Sequence, residues 1–169
     1  NWRGMEVSSG RRIKRSLNIK MDSVKFCSKQ MLDKFSNYQL IADFLSEKRK
    51  EIKAYNEEHK VDKSELINGR HLTNLGMLRA YIESYLLHSP NINTDMTYMV
   101  RQLQPTERGI PLEIYAFSKQ KEWKTYENII SDIFDHLLAA IPYFDLVIFE
   151  RPASGDLKGP NKQLGATAD

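Results

Sequence analysis

Apolar and polar residues alternate in some stretches of this chain and recur every three or four positions in others. Between residues 11 and 19, apolar Ile13, Leu17 and Ile19 alternate with polar residues, and Arg15 is the one charged interruption on the apolar side. A period of two residues is typical of a strand with one buried face. The pattern therefore predicts a strand over residues 11–19.

Three later segments show the helical period instead. Their apolar positions are Met31, Leu32 and Phe35; Leu40, Ile41, Phe44, Leu45, Ile52 and Tyr55; and Leu75, Leu78, Ile82, Tyr85 and Leu86. Ser28 is a suitable N-cap for the first segment, and Pro90 closes the third. We expect three helices here, with a polar connection over residues 56–70.

The stretch RQLQPTERGIPLEIYAFSK, residues 101–119, has two strand-like arms around a turn. The residues predicted to share a face are Met96, Tyr98 and Val100 in the first arm and Leu112, Ile114 and Ala116 in the second. The connection QPTERG suits a turn of several residues. The second arm is therefore predicted to bury one face under helices, a purpose that needs no catalytic residue.

The clearest helical pattern runs from Trp123 to Ile141 and stops at Pro142. After it, the apolar run FDLVIF, residues 144–149, has the length of a strand. The resulting order is strand, helices, strand, strand, helix, strand. It predicts an α+β fold, namely a ferredoxin-like split βαβ sheet with extra helices in the first crossover.

Composition is that of an ordinary globular domain, with 169 residues, 41% hydrophobic, 28% charged, and a net charge of +3. One cysteine, Cys27, excludes an internal disulfide and fits a reducing, cytosolic compartment. No apolar run approaches the roughly 20 residues of a membrane-spanning helix, so this chain is not expected to cross a bilayer. Because it begins with Asn1 and lacks a signal peptide, we expect a fragment or a processed product.

Candidate catalytic and metal-binding residues are few. The histidines, His59, His71, His88 and His136, lie in different elements without metal-ligand spacing, so we interpret them as structural or surface residues. The simplest partner of His136 is Asp132, one helical turn away. No metal or cofactor is predicted.

Cys27 lies at a strand-to-helix junction, where a helix N-terminus can lower the pKa of a thiol. No P-loop, G-x-G-x-x-G or G-x-S-x-G motif follows a strand, and the carboxylates lie among lysines as on a solvated face. We predict that the chain is not an enzyme. Catalysis by Cys27 remains a minor alternative.

The basic run RRIKR contains Arg11, Arg12, Lys14 and Arg15. Sheets of the predicted type include RNA-binding modules, in which aromatic side chains of central strands stack on bases. Tyr115 and Phe117 share a face, but the glycine and the leading basic residue of the RNA-binding consensus are missing. We therefore expect no nucleic acid, and we expect both rings to pack under helices or against a neighbouring subunit.

Four stretches together resemble one known family. They are NWRGMEVSSGRRIKRSLNI, NGRHLTNLGMLRAYIESYL, RQLQPTERGIPLEIYAFS and YENIISDIFDHLLAAIPYFDLVIFERP. Over about residues 1–152 the chain resembles the cytoplasmic C-terminal part of bacterial mechanosensitive channels of the small-conductance superfamily, miniconductance-type branch. The pore helix of that family precedes this region, and no residue here matches it.

The resemblance implies a membrane-tension-gated channel that releases ions and small solutes after hypo-osmotic shock. Residues 1–19 would be the end of a β-rich domain and a connecting strand, and residues 20–152 the wall of a hollow cytoplasmic cage. Residues 153–169 would form a flexible tail. The cage typically contains seven subunits and lies on the cytoplasmic side of the bacterial inner membrane, to which upstream transmembrane helices attach it.

Two interpretations of the basic run stay open. Arg11, Arg12, Lys14 and Arg15 could line the vestibule and concentrate counter-ions, or they could protect a solvated strand edge against unwanted pairing. The alternative to a channel domain is a soluble ferredoxin-like regulatory module that binds RNA or a small ligand.

Overall fold

The computed structural model describes residues 10–153, an α+β domain with one three-stranded antiparallel sheet and four α-helices. The strands are β1 (Arg11–Ile19), β2 (Met99–Gln102) and β3 (Ile110–Ser118). The helices are α1 (Lys29–Phe35), α2 (Ala42–Glu58), α3 (Asn74–Leu87) and α4 (Trp123–Ala140). The predictions of a β-rich domain end and a flexible tail concern residues that lie outside this range, apart from residues 10–19 and 153.

The sheet has the order β1–β3–β2, so β3 is its central strand. Ile13 lies opposite Ala116, and Leu17 lies opposite Leu112. In antiparallel strands, directly opposed residues share a face. The predicted alternation of β1 and the predicted shared face of Leu112, Ile114 and Ala116 are both confirmed.

Helices pack on this one face and form the core. The buried side chains of the sheet and of α4 include Ile13, Leu17, Leu112, Ile114, Ile130, Ile133 and Leu137. The three- and four-residue spacing of α4 places its apolar stripe on the sheet. As predicted from Pro142, this helix ends at Ala140, and a short 3₁₀ turn follows over Ile141–Phe144.

The predicted strand over residues 144–149 is wrong as a regular strand. Phe144 ends the 3₁₀ turn, and Asp145 takes the left-handed conformation with φ 56°. A short extended segment remains: the amide of Lys20 donates to Val147 O at 2.7 Å, and Ile148 forms an isolated antiparallel bridge with Ile19. Because the 3₁₀ turn and the left-handed residue occupy positions 141–145, only the residues after Asp145 can be extended.

The first arm of the hairpin also begins later than predicted. Strand β2 starts at Met99, whereas Met96 lies in a turn in which its amide donates to Asn93 O. The amide of Asp95 donates to Asn93 Oδ1 at 3.0 Å, so the asparagine side chain stabilises this turn. Of the three residues predicted to share the face, Val100 is the one that the strand buries.

Candidate functional site

The face of the sheet opposite the helices carries a basic and aromatic patch, which we call the open face. Arg12 lies opposite Phe117, and Lys14 lies opposite Tyr115. The rings of Tyr115 and Phe117 meet edge to face, with centroids 5.7 Å apart. Both rings are half-buried and both cations are exposed. The prediction that the rings pack under helices is wrong, because the alternation of β3 directs them to the other face; contact with a neighbouring subunit stays a prediction.

The basic run is divided between the two faces. The Arg11 guanidinium lies 4.3 Å from the centroid of the Tyr126 ring, and that of Arg15 lies 5.2 Å from the Phe134 ring. Both rings belong to α4, so these arginines cover the edge of the helix-packed face through cation–π contacts. Of the four predicted vestibule residues, only Arg12 and Lys14 share the open face.

An ion pair between an exposed arginine and a buried glutamate lies on the same face as Arg12 and Lys14. Arg101 Nε donates to Glu113 Oε1 at 2.8 Å, and Glu113 is only 4% exposed. The two residues are directly opposed on β2 and β3. Sequence reasoning missed this pair, although the register of the hairpin would have indicated it.

An aromatic pocket of about 450 Å³ lies where α3, α4 and the two 3₁₀ turns that precede α2 and follow α4 meet. His136 Nε2 and the Tyr81 hydroxyl are 2.6 Å apart, and the imidazole stacks on Tyr85 at 4.2 Å. Burial raises the pKa of the Tyr81 hydroxyl. The predicted surface pair of Asp132 and His136 does not form among residues 10–153, and the imidazole instead stacks on Tyr81 and Tyr85.

Two of the other histidines, His59 and His88, are exposed residues at the C-terminal ends of α2 and α3. Nδ1 of His59 lies 2.9 Å from Tyr55 O, and Nδ1 of His88 lies 2.8 Å from Ser84 O, both in the last turn of a helix. Within residues 10–153, no three His, Cys, Asp or Glu side chains form a group that could hold a metal ion. In the same range, no helix has both the length and the apolar character of a membrane span.

Cys27 is a buried thiol directly before the N-cap of α1. It is 3% exposed, and burial raises its pKa to about 11, with a smaller contribution from the negative charge of Asp145. The thiolate is the nucleophilic form of cysteine, and at neutral pH a pKa this high leaves almost none of it. The structure gives this residue a place in the core and no feature of an activated nucleophile.

Cys27 is expected to react with iodoacetamide at least about 100-fold more slowly in the folded chain at pH 8 than in urea, since a pKa raised from 9 to 11 lowers the thiolate fraction by that factor. Mass spectrometry of the alkylated chain measures both rates on the same residue. Rates within tenfold of each other would show that the thiol is accessible and ionised.

No model of a known protein family matches this sequence.

Proposed function

We propose that this chain is the cytoplasmic domain of a membrane-tension-gated channel that releases ions and small solutes during hypo-osmotic shock. The observation that carries the proposal is the resemblance of four long stretches, in the order that the family has them, over about residues 1–152. The α+β architecture agrees with it, because a wall needs a rigid sheet with one packed face.

The finer fold in this proposal is ferredoxin-like. The bridge between Ile19 and Ile148 lies on the edge of β1 that faces away from β3. This bridge supports the proposal that the extended residues 147–149 act as a fourth strand beside β1, antiparallel to it. The connection from β1 to β2 then contains α1, α2 and α3, which are the extra helices of the first crossover.

In the assembled channel, seven copies of the domain form a cage on the cytoplasmic side of the bacterial inner membrane. The open face supplies the surface for this assembly or for the vestibule. Its half-buried Tyr115 and Phe117 suit a contact between subunits, whereas exposed Arg12 and Lys14 suit a water-filled space that attracts anions. Arg11 and Arg15 contact α4 and contribute less to the positive potential of the open face.

The test is a pressure-step patch recording from membranes that express the full reading frame containing this chain, beside a matched strain that lacks it. We expect currents that rise with suction only in the expressing strain. Reversing the charges, with Arg12→Glu and Lys14→Glu together, is expected to lower the anion-to-cation permeability ratio by about twofold, because positive charge in a vestibule concentrates anions.

The matched control is Lys50→Glu with Lys53→Glu, the same charge change on the exposed side of α2. It should leave the permeability ratio unchanged. Expression in the membrane without tension-dependent current up to patch rupture would contradict the channel. A normal current with an unchanged permeability ratio in both double variants would show that Arg12 and Lys14 do not line the vestibule. The remaining interpretation would be that their charges protect a strand edge.

A second candidate, a regulatory module that binds RNA, is favoured by one observation: the open face combines two aromatic rings with two exposed cations. The reading frame upstream of residue 1 separates the two candidates. Two or more apolar segments of membrane-spanning length there would favour the channel, and their absence would favour the module.

A further inference from the structure

A groove of about 360 Å³ lies on the helical side of the domain, between α2, the start of α3 and the segment that joins them. Positive and aromatic side chains line it. They are Lys48, Arg70 and Arg79, with the imidazole of His71 and the rings of Phe26 and Phe44. No carboxylate is among its lining residues within the described part of the chain. We call it the basic groove.

Buried amides hold the wall of the basic groove in place. The side chain of Asn56, which is 3% exposed, accepts from Arg70 N at 2.9 Å and donates to Arg70 O at 3.0 Å. Next to it, the amide of Cys27 donates to Leu72 O at 2.8 Å. Arg70 and His71 therefore project from a fixed backbone although they lie outside any helix or strand, which lowers the entropic cost of binding.

Only part of the positive charge in the basic groove is neutralised by the protein. Glu51 borders it and accepts from Arg70 at 3.1 Å, and it pairs with Lys48 at 3.5 Å. These contacts, that of Arg70 first, hold the pKa of Glu51 below its ordinary value. The Arg79 guanidinium makes no hydrogen bond or ion pair with any residue between 10 and 153. Positive charge is in excess.

Two further features indicate what kind of anion fits. Nε2 of His71 is buried and has no hydrogen-bond partner among the described residues, and the imidazole meets the Phe26 ring edge to face with centroids 6.4 Å apart. Phe26 and Phe44 are 38% and 40% exposed, so an apolar group can pack on them.

Gly76 leaves room for such a ligand at the start of α3. The first carbon of a side chain at this position would lie 3.3 Å from Thr73 Oγ1 and 3.9 Å from Arg79 Nη2. The Arg79 guanidinium therefore lies over the glycine, close to the first turn of α3, whose Asn74 and Gly76 amides already donate to Lys25 O and Thr73 Oγ1. The guanidinium, and not the end of the helix, is thus the group that faces a ligand here. Arginine is also the side chain best shaped for two hydrogen bonds to one phosphoryl group.

From these contacts we propose that the basic groove binds a small phosphate monoester that carries an aromatic group. The phosphoryl oxygens contact Arg79, Arg70 and Lys48, and the aromatic group packs on Phe26 and Phe44. This inference does not depend on the channel function, since it concerns the helical side of the domain and not the open face. Binding of such a metabolite would make the state of the domain depend on the concentration of that metabolite.

The test uses phenyl phosphate as the probe and the purified 169-residue chain, by isothermal titration at low ionic strength, with phenol and inorganic phosphate as partial probes. We expect saturation with a Kd of about 1 mM or tighter for phenyl phosphate and at least about tenfold weaker binding of each partial probe. Arg79→Gln should weaken phenyl phosphate by at least about tenfold, because it removes a charge-assisted contact.

Lys53→Gln is the matched control, since it removes one exposed cation from α2 outside the basic groove. It should leave the Kd within about twofold. Because Arg79 is exposed, its replacement leaves the fold intact, which circular dichroism checks. Absence of saturation by about 10 mM phenyl phosphate would overturn the proposal. The proposal would also be overturned if the Arg79 and Lys53 variants lost affinity for phenyl phosphate equally. The same holds if inorganic phosphate bound as tightly as phenyl phosphate.

Discussion

Replacing Phe144 with alanine is expected to lower the free energy of unfolding by about 3–5 kcal/mol, the usual cost of truncating a fully buried phenylalanine. The ring is 1% exposed, and its centroid lies 5.2 Å from that of Phe35 and 5.4 Å from those of Tyr38 and Tyr81. It joins α1, α3 and the turn after α4. Alanine would therefore remove packing contacts from three elements at once.

Urea unfolding followed by circular dichroism measures this change, with Leu138→Ala as the control. Leu138 lies on α4 but is 46% exposed, so its truncation is expected to cost well under about 1 kcal/mol. A domain of this size has about 5–15 kcal/mol of stability in total, so the Phe144 variant should stay folded in water with a lower transition midpoint. A loss below about 1 kcal/mol would show that the aromatic cluster is not the centre of the core.

Asn74→Ala should destabilise the domain by about 2–4 kcal/mol through unpaired polar groups. The side chain is fully buried, accepts from Lys25 N at 2.9 Å, and donates to Ser23 O at 3.0 Å and Asp145 O at 3.4 Å. It thus connects the segment after β1 with the start of α3 and with the left-handed turn. Alanine leaves these backbone groups without their partner.

The same urea experiment measures the loss, and amide exchange of Lys25 gives a local readout, because the amide loses its acceptor in the variant. Asn37→Ala is the control, as this asparagine is exposed and forms no side-chain hydrogen bond among the described residues. We expect it to change stability by less than about 0.5 kcal/mol. Equal stability of the two variants, with unchanged exchange at Lys25, would show that water replaces the buried amide without cost.

The elements that the sequence predicts well are those whose own pattern determines them. The alternation from Ile13 to Ile19 and the stripe of α4 each select one buried face, and Pro142 cannot continue a helix. Arg15 interrupts the apolar side of β1. It lies on the helix-packed face because its guanidinium makes a cation–π contact with the ring of Phe134. These features depend on residues close together in the chain.

The features that were missed depend on contacts between distant segments. An apolar run such as residues 144–149 is compatible with a strand, but Phe144 and Leu146 are buried in the core, and only residues 147–149 lie beside the end of β1. Similarly, His136 turns to Tyr81, 55 positions earlier, rather than to Asp132 on its own helix. Local spacing contains no information about such partners.

The basic groove is the extreme case of this limit. Lys48, Arg70 and Arg79 come from a helix, a connection and a second helix, and no sequence motif joins them. The amide of Asn56, which positions Arg70, lies on the same helix as Lys48 but 14 residues before the arginine whose backbone it binds. A search by motif passes over such a site, because the fold alone brings its members together.

The pairing of β1 with β3 has a consequence for the order in which the chain acquires its structure. Every residue of β1 from Arg11 to Ile19 has its partner roughly 100 residues later, so closing this contact requires a long loop to lose its freedom. On the ribosome, β1 emerges well before β3 and must wait while its apolar side is uncovered. Because Arg12 and Lys14 are charged and exposed, we expect them to oppose unwanted pairing of β1 with other chains until β3 is synthesised.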